Sequence, residues 1–222
     1  MIDTQLVSRQ YEWLQEDLAK ANTNRDRVPW IVAFGHYPMY CGNSLDCDQT
    51  PATAALRDGP FGLEEMMHSA GVDLYVAAHY HDYERMWPIY KNQSTHTMVE
   101  PKATVHLVTG AGGSDEALNG FGGCSATHRT AKRLSHFGYS VLTAHNHSHL
   151  NIQFVATDYT ARLANGSSSG GVGDRYGSIE DDVWLVQHNH SVRRSVKSDD
   201  VAGLHYEVSI ASSYYNSAID SR

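Results

Sequence analysis

An α/β fold built on a layered sheet is what the sequence predicts, and three observations predict it. Two helix–strand units follow one another in the first part of the chain, their strands are unbroken apolar runs rather than alternating ones, and a polar loop follows each run. Residues 4–21 have helical spacing, with Thr4 as N-cap and Val7, Tyr11, Leu14, Leu18 and Ala21 on one face. The polar stretch Asn22–Arg27 ends that helix and Pro29 forbids its continuation. Trp30–Phe34 is an apolar run of strand length, closed by a turn at Gly35-His36-Tyr37-Pro38, after which a polar loop is expected to about Gly59. Leu63, Met66, Met67 and Ala70 share a second helical face, with Gly71 placed to terminate it in the left-handed conformation. Asp73–Ala78 is the second buried-strand pattern, and His79-Tyr80-His81 closes it.

From Val105 the pattern becomes β. Val105–Thr109 leads into Gly110-Ala111-Gly112-Gly113, and Tyr139–Ala144 and Leu150–Ala156 form a hairpin around Asn146-His147-Ser148. The Gly/Ser-rich stretch Asn165–Gly173 reads as an exposed loop, and Asp182–Val186 as a last strand. Residues after Gln187 lack a pattern and are expected to form a weakly ordered tail. The resulting division is 1–104, 105–186 and 187–222. No internal repeat is present.

Composition narrows the function. The chain has 222 residues, 41% of them hydrophobic, with 13 Tyr and 4 Trp, enough to build a core. A net charge of −8 argues against a nucleic-acid or anionic-membrane partner, and no apolar run is long enough to span a bilayer. The 14 histidines nearly equal the 17 Lys plus Arg, a bias that suits metal or acid–base chemistry as well as plain surface polarity. Asn-x-Ser sequons at Asn92, Asn146, Asn165 and Asn189 suit a secreted glycoprotein. Cys41 and Cys47 could close a small disulfide ring, whereas Cys124 has no evident partner. The first residues lack the basic start and apolar stretch of a signal peptide, so the expectation is a secreted chain recorded without its beginning.

The chemistry lies in histidines. Residues two apart on an extended segment point to one side, so His79 and His81 can face one site. His36 occupies the equivalent position after the preceding strand, and ligands in such sheets gather where the strands end. Three imidazoles at one sheet edge suit Zn, Fe or a related ion. Glu84 and Arg85 are read as an ion pair that packs the loop. The glycines at 110–113 lack a following P-loop Lys-Ser/Thr and are read as a tight turn. His145, His147 and His149 flank a sequon and are read as solvated, and His106, inside a strand, as packed. No Gly-x-Ser-x-Gly, His-Glu-x-x-His or Gly-x-Gly-x-x-Gly motif occurs.

These residues resemble the purple acid phosphatases of the calcineurin-like metallophosphoesterases, nearest to their animal acid phosphatase type 7 branch. The resemblance is carried by Gln10-Tyr11-x-Trp13-Leu14-x-x-Asp17-Leu18 and Pro29-Trp30-Ile31-Val32-x-x-Gly35-His36-x-Pro38-Met39-Tyr40-Cys41. It continues through Gly62-Leu63-Glu64-Glu65, Gly71-Val72-Asp73-Leu74 and Ala78-His79-x-His81-x-Tyr83-Glu84-Arg85-x-Trp87-Pro88-Ile89-Tyr90 to Val105–Gly110 and Asp181-Asp182-Val183-Trp184. Ala78 replaces the glycine of the broader Gly-His-x-His motif. The resemblance implies the C-terminal half of a four-layer α/β/β/α sandwich. Residues 1–104 would be the end of the catalytic domain and 105–186 the family's β-rich C-terminal region. It also implies hydrolysis of phosphate monoesters by a dinuclear centre of Fe and a second divalent metal (Zn, Mn or Fe). His36 and His79 would bind the divalent ion and His81 the ferric ion, and the protein could be a homodimer.

The departures from the family pattern are as specific. The family's earlier motifs, which supply the bridging Asp, the Tyr, the Asn and a catalytic His, are not in this sequence, so no catalytic acid or base is assigned. Residues 45–59 also contain no His, where related enzymes often place one. The chain alone is therefore expected to be an inactive part of a phosphatase, for instance an incomplete gene model. A non-catalytic secreted glycoprotein that keeps this half of the fold is the competing reading. A mononuclear three-His zinc site is the third.

Overall fold

The computed structural model describes residues 1–5, 7–43, 50–113, 117–122, 128–157 and 177–190, together with the backbone of 206–210. The elements run α1 (Val7–Asn22), β1 (Val32–Gly35), α2 (Pro51–Asp58), α3 (Leu63–Ala70), β2 (Leu74–Ala77), β3 (Tyr83–Tyr90) and β4 (Gln93–Ser94). They continue β5 (Thr104–Thr109), β6 (Thr130–Leu134), β7 (Gly138–Ala144), β8 (His149–Ala156), β9 (Ile179–Val186) and β10 (Tyr206–Ile210). The first sheet has the order β1-β2-β5-β3-β4, with β6 also paired to β3; β1, β2 and β5 are mutually parallel and β3 is antiparallel to β5. The second sheet is antiparallel, in the order β10-β7-β8-β9.

Period-2 alternation builds two cores from one sheet. Tyr75 and Ala77 of β2 and Val108 of β5 pack with Leu14 and Leu18 of α1, Leu56 of α2, and Leu63 and Met67 of α3. Leu74 and Val76 of β2 and Val105 and Leu107 of β5 turn the other way, onto Leu142, Leu150, Ile152, Phe154 and Leu185 of the second sheet. The layers are therefore helices, sheet, sheet. Full burial of a side chain such as Leu74, Leu107 or Ile152 is worth about 1.5–3 kcal/mol relative to leaving it exposed.

Buried polar ties fix how the layers meet. Arg25, after α1, donates from Nη1 to Asp73 Oδ2 (2.6 Å), and the same oxygen accepts the Ile31 N–H (2.8 Å), so the approach to β1 is bound to the approach to β2. Gly71 ends α3 in the left-handed conformation (φ 67°), as its position in the sequence implies. Lys91 and Asn92, at φ 48° and 60°, make the two-residue turn between β3 and β4.

Several expectations are corrected. The first helix begins at Val7, not Thr4, and the Thr4 hydroxyl accepts the Tyr37 N–H (3.0 Å) instead of capping it. The stretch expected to be loop up to Gly59 contains α2, with Thr50 as N-cap accepting from the Thr53 N–H and Pro51 in the first turn. Glu84 and Arg85 do not pair. As neighbours on β3 they face opposite sides of the sheet: Arg85 bonds Asp181, and Glu84 receives Gly42 N–H and lies 3.7 Å from Arg133 Nε. β10 lies within the expected tail, where its backbone pairs antiparallel with β7. Cys41 is buried and disulfide-bonded; Cys47, Cys124 and the Asn165–Gly173 segment lie outside the described residues.

Candidate metal centre

The site forms where β1 and β2 end together. Gly35 pairs with Ala77 at the last step of the parallel ladder, and Ala78 N–H donates to the His36 carbonyl (3.0 Å), carrying the register one residue further. His79 then adopts φ 60°, a left-handed conformation uncommon for a residue with a side chain. Backbone held in this way is concentrated at functional sites. The turn brings His79 Nδ1 to 3.2 Å from His36 Nε2, with the ring centroids 5.1 Å apart. Tyr37 packs against both rings, its centroid 4.1 Å from His79 and 5.1 Å from His36. Its carbonyl accepts the Tyr75 hydroxyl (2.7 Å). Gly35 leaves room for that hydroxyl, since a Cβ there would stand 2.3 Å from Tyr75 Oη.

His81 belongs to the same loop. Its N–H donates to Asn119 Oδ1 (2.6 Å), and its carbonyl accepts the Asn119 N–H (2.9 Å). Beneath the loop lies Gly110, where a Cβ would stand 2.0 Å from the Tyr80 carbonyl oxygen. The first glycine of the 110–113 stretch thus permits a close approach between β5 and the His79–His81 loop. Neither Gly110 nor Asn119 is evident as a site residue from the sequence, because each acts through backbone contacts with a segment distant in the chain.

The electrostatics favour neutral rings. Burial, then the charges of His36 and His81, lowers the His79 pKa to about 4. Partial burial, followed by the His81 charge, also lowers that of His36. Two ligands held about 2.0–2.1 Å from one ion at octahedral to tetrahedral angles stand about 2.9–3.4 Å apart, so the 3.2 Å separation of the facing nitrogens fits joint ligation of a single divalent ion. Among the described residues, however, no group of three or more His, Cys, Asp or Glu side chains is arranged to hold a metal ion. His81 is within charge range of the pair without closing a three-ligand set with it. Asp82 is buried, only 1% exposed, and burial followed by the Glu84 charge pushes its pKa up to about 8.

The other histidines singled out in the sequence lie elsewhere. His106 is buried between Tyr40 and Tyr75, at centroid distances of 5.2 and 5.9 Å. His145 is exposed beside Trp184. His147 departs from the solvated reading, since its half-buried ring meets His190 edge-on at 5.3 Å.

Comparison with known proteins places the chain among related sequences and folds. Residues 2–83 match the family model described as calcineurin-like phosphoesterase, and residues 103–174 match that of the iron/zinc purple acid phosphatase-like protein C. The chain is 38% identical over 191 residues to acid phosphatase type 7 of Homo sapiens, an alignment covering 82% of this chain and 40% of the relative. It is 37% identical over 199 residues to the Danio rerio protein of that name, covering 83% and 41%. The chain therefore spans about 40% of the length of these curated relatives. The solved purple acid phosphatase PPD1 from yellow lupin seeds superposes with a TM-score of 0.61 at 24% identity, covering 82% of this chain and 29% of that one, which is a likeness of fold.

Proposed function

Because the chain belongs to the purple acid phosphatase family of calcineurin-like phosphoesterases, we propose that it forms part of a metal-dependent phosphatase that hydrolyses phosphate monoesters. The observation that carries this reading is the His36–His79 pair, two imidazole nitrogens facing each other at 3.2 Å beyond the ends of adjacent parallel strands. His36 and His79 would hold the divalent ion (Zn, Mn or Fe) and His81 the ferric ion. When bound, the metals would supply Lewis acidity toward the phosphate oxygens and toward water. The chain's own residues orient the ligands: the β1–β2 register sets His36, the left-handed turn sets His79, and Tyr37 limits rotation of both rings. The described residues bring no carboxylate to bridge two metals. The 222-residue chain on its own is therefore expected to retain metal weakly and to hydrolyse an aryl phosphate negligibly.

Secretion and N-glycosylation form part of the proposal. Asn92, Asn146 and Asn189 are all exposed, as acceptor sites must be, and no described helix is long and apolar enough to cross a membrane. The competing reading, a non-catalytic glycoprotein, draws its support from the incomplete ligand set. His79→Ala in the gene's full product separates the two. Loss of bound divalent metal together with loss of acid phosphatase turnover is expected. Unchanged metal content and turnover would reject the ligand assignment, and absence of turnover in the unsubstituted protein would favour the glycoprotein.

A further inference from the structure

We propose that Asn119 is the positioning residue for His81, the side chain that sets where the third imidazole hangs relative to the His36–His79 pair. The inference rests on reading His81 as a metal ligand. Its structural basis is that one residue, from the loop between β5 and β6, engages both backbone polar groups of His81. Asn119 Oδ1 accepts the His81 N–H at 2.6 Å, and the Asn119 N–H donates to the His81 carbonyl at 2.9 Å. The clamp is anchored in turn, because the Asn119 carbonyl accepts the Ser135 hydroxyl at 2.8 Å, directly after β6.

The other two histidines have no need of such a clamp. His36 follows the last residue of β1, and His79 follows β2 after Ala78, which is itself bonded to His36. His81 lies beyond the left-handed turn, outside the parallel ladder, so strand pairing does not fix its position. A side-chain amide can do so because its carbonyl is a strong acceptor on a short stem with few rotatable bonds. Outer-shell hydrogen bonds to a ligand's own ring are typically worth about 10–100-fold in metal affinity, and a clamp on the ligand's backbone is expected at the low end of that range. Asp at this position would keep the acceptor oxygen, Leu would keep the volume and remove it, and Gln would move the amide outward by one methylene.

The test is Zn²⁺ titration of the 222-residue chain, followed through the Cε1–H resonances of His36, His79 and His81, with amide exchange measured at His81. In the unsubstituted chain all three rings are expected to respond, His36 and His79 to one ion and His81 to a second, with Zn²⁺ standing in for the ferric ion at His81. Asn119→Leu should leave the His36 and His79 responses in place, weaken that of His81 by about tenfold or more, and speed exchange of the His81 amide. Asn119→Asp should restore the His81 response, which a merely space-filling role would not predict. If Asn119→Leu fails to fold, Asn119→Gln carries the same comparison. An undiminished His81 response in the Leu or Gln variant overturns the proposal, as does a His81 that ignores Zn²⁺ while His36 and His79 bind it. A chain in which none of the three rings responds refutes the metal-ligand reading itself and this inference with it, a distinguishable result.

Discussion

Arg85 on β3 grips Asp181 on β9, Nε to Oδ2 at 2.7 Å and Nη2 to Oδ1 at 3.1 Å, and so ties the first sheet to the second. The Tyr83 hydroxyl donates to the same Oδ2 at 2.7 Å, and the paired side chains are each only 8% exposed. Removing one partner leaves a buried charge without compensation, a loss of about 3–5 kcal/mol. Arg85→Ala should therefore lower the urea midpoint by an amount equivalent to that loss. The double variant Arg85→Met/Asp181→Leu should be more stable than Arg85→Ala, since it leaves no orphaned charge. A double variant no more stable than the single would show that packing, not charge, dominates there.

His106 predicts a pH dependence away from the candidate site. Burial, with Arg129 and Arg57 adding to it, lowers its pKa to about 3, against an ordinary value near 6.5. Because the folded pKa is depressed, the unfolded chain takes up a proton between pH 6.5 and 3 that the folded chain refuses. Stability present above pH 6.5 is thus lost as the pH falls through that window, by up to about 1.4 kcal/mol per pH unit. Replacing the ring removes the contribution, so His106→Leu should show a shallower fall in stability from pH 6.5 to 4 in denaturant titrations. An identical slope in the variant would mean that other groups set the acid limit.

Trp30 joins the two sheets at another point. Its indole N–H donates to the Asn146 carbonyl (3.0 Å) in the β7–β8 turn, and its ring meets His190 edge-on at 4.3 Å. Trp30→Phe keeps an aromatic ring but loses the donor, leaving the Asn146 carbonyl to water; a cost of about 1 kcal/mol is expected. Trp30→Ala also opens the core and should cost about 3–5 kcal/mol. Thermal unfolding of the two variants gives the comparison, and equal losses would mean that the hydrogen bond, rather than the ring, carries the effect.

Elements with a strong local pattern were legible in the sequence. Apolar runs mark β1 and β2, Leu63–Ala70 with Gly71 marks α3, and alternation around Asn146 marks the β7–β8 hairpin. β3 and β6 were not legible. The side chains of Tyr83, Glu84 and Arg85 are polar yet buried because partners from distant segments satisfy them, and β6 is only half-buried along its length. For the candidate site, the sequence points to the histidines but not to how they are held. His79 and His81 are two apart, yet the left-handed turn at His79 breaks the extended geometry from which a shared side was expected, and the close contact is His79 with His36. Asn119 and Gly110 leave no local signal, since their role exists only after β5 and the loop beyond it pack against residues 78–82.

Gly110 gives the sharpest test of how the loop is held. A Cβ there would lie 2.0 Å from the Tyr80 carbonyl oxygen and 2.9 Å from its carbon, and these are backbone atoms that cannot rotate aside. The strain must move either β5 or the His79–His81 loop, and β5 is pinned between β2 and β3, so the loop should yield. Gly110→Ala is expected to cost about 1–3 kcal/mol and to shift the amide resonances of residues 78–82. Gly120, next to Asn119, supplies the control. Nothing lies within 4 Å of a Cβ built there, so Gly120→Ala should change stability by no more than about 0.5 kcal/mol and leave those resonances in place. If both variants behave alike, the loop is not held by its close approach to β5, and the site's geometry must come from the β1–β2 ends alone.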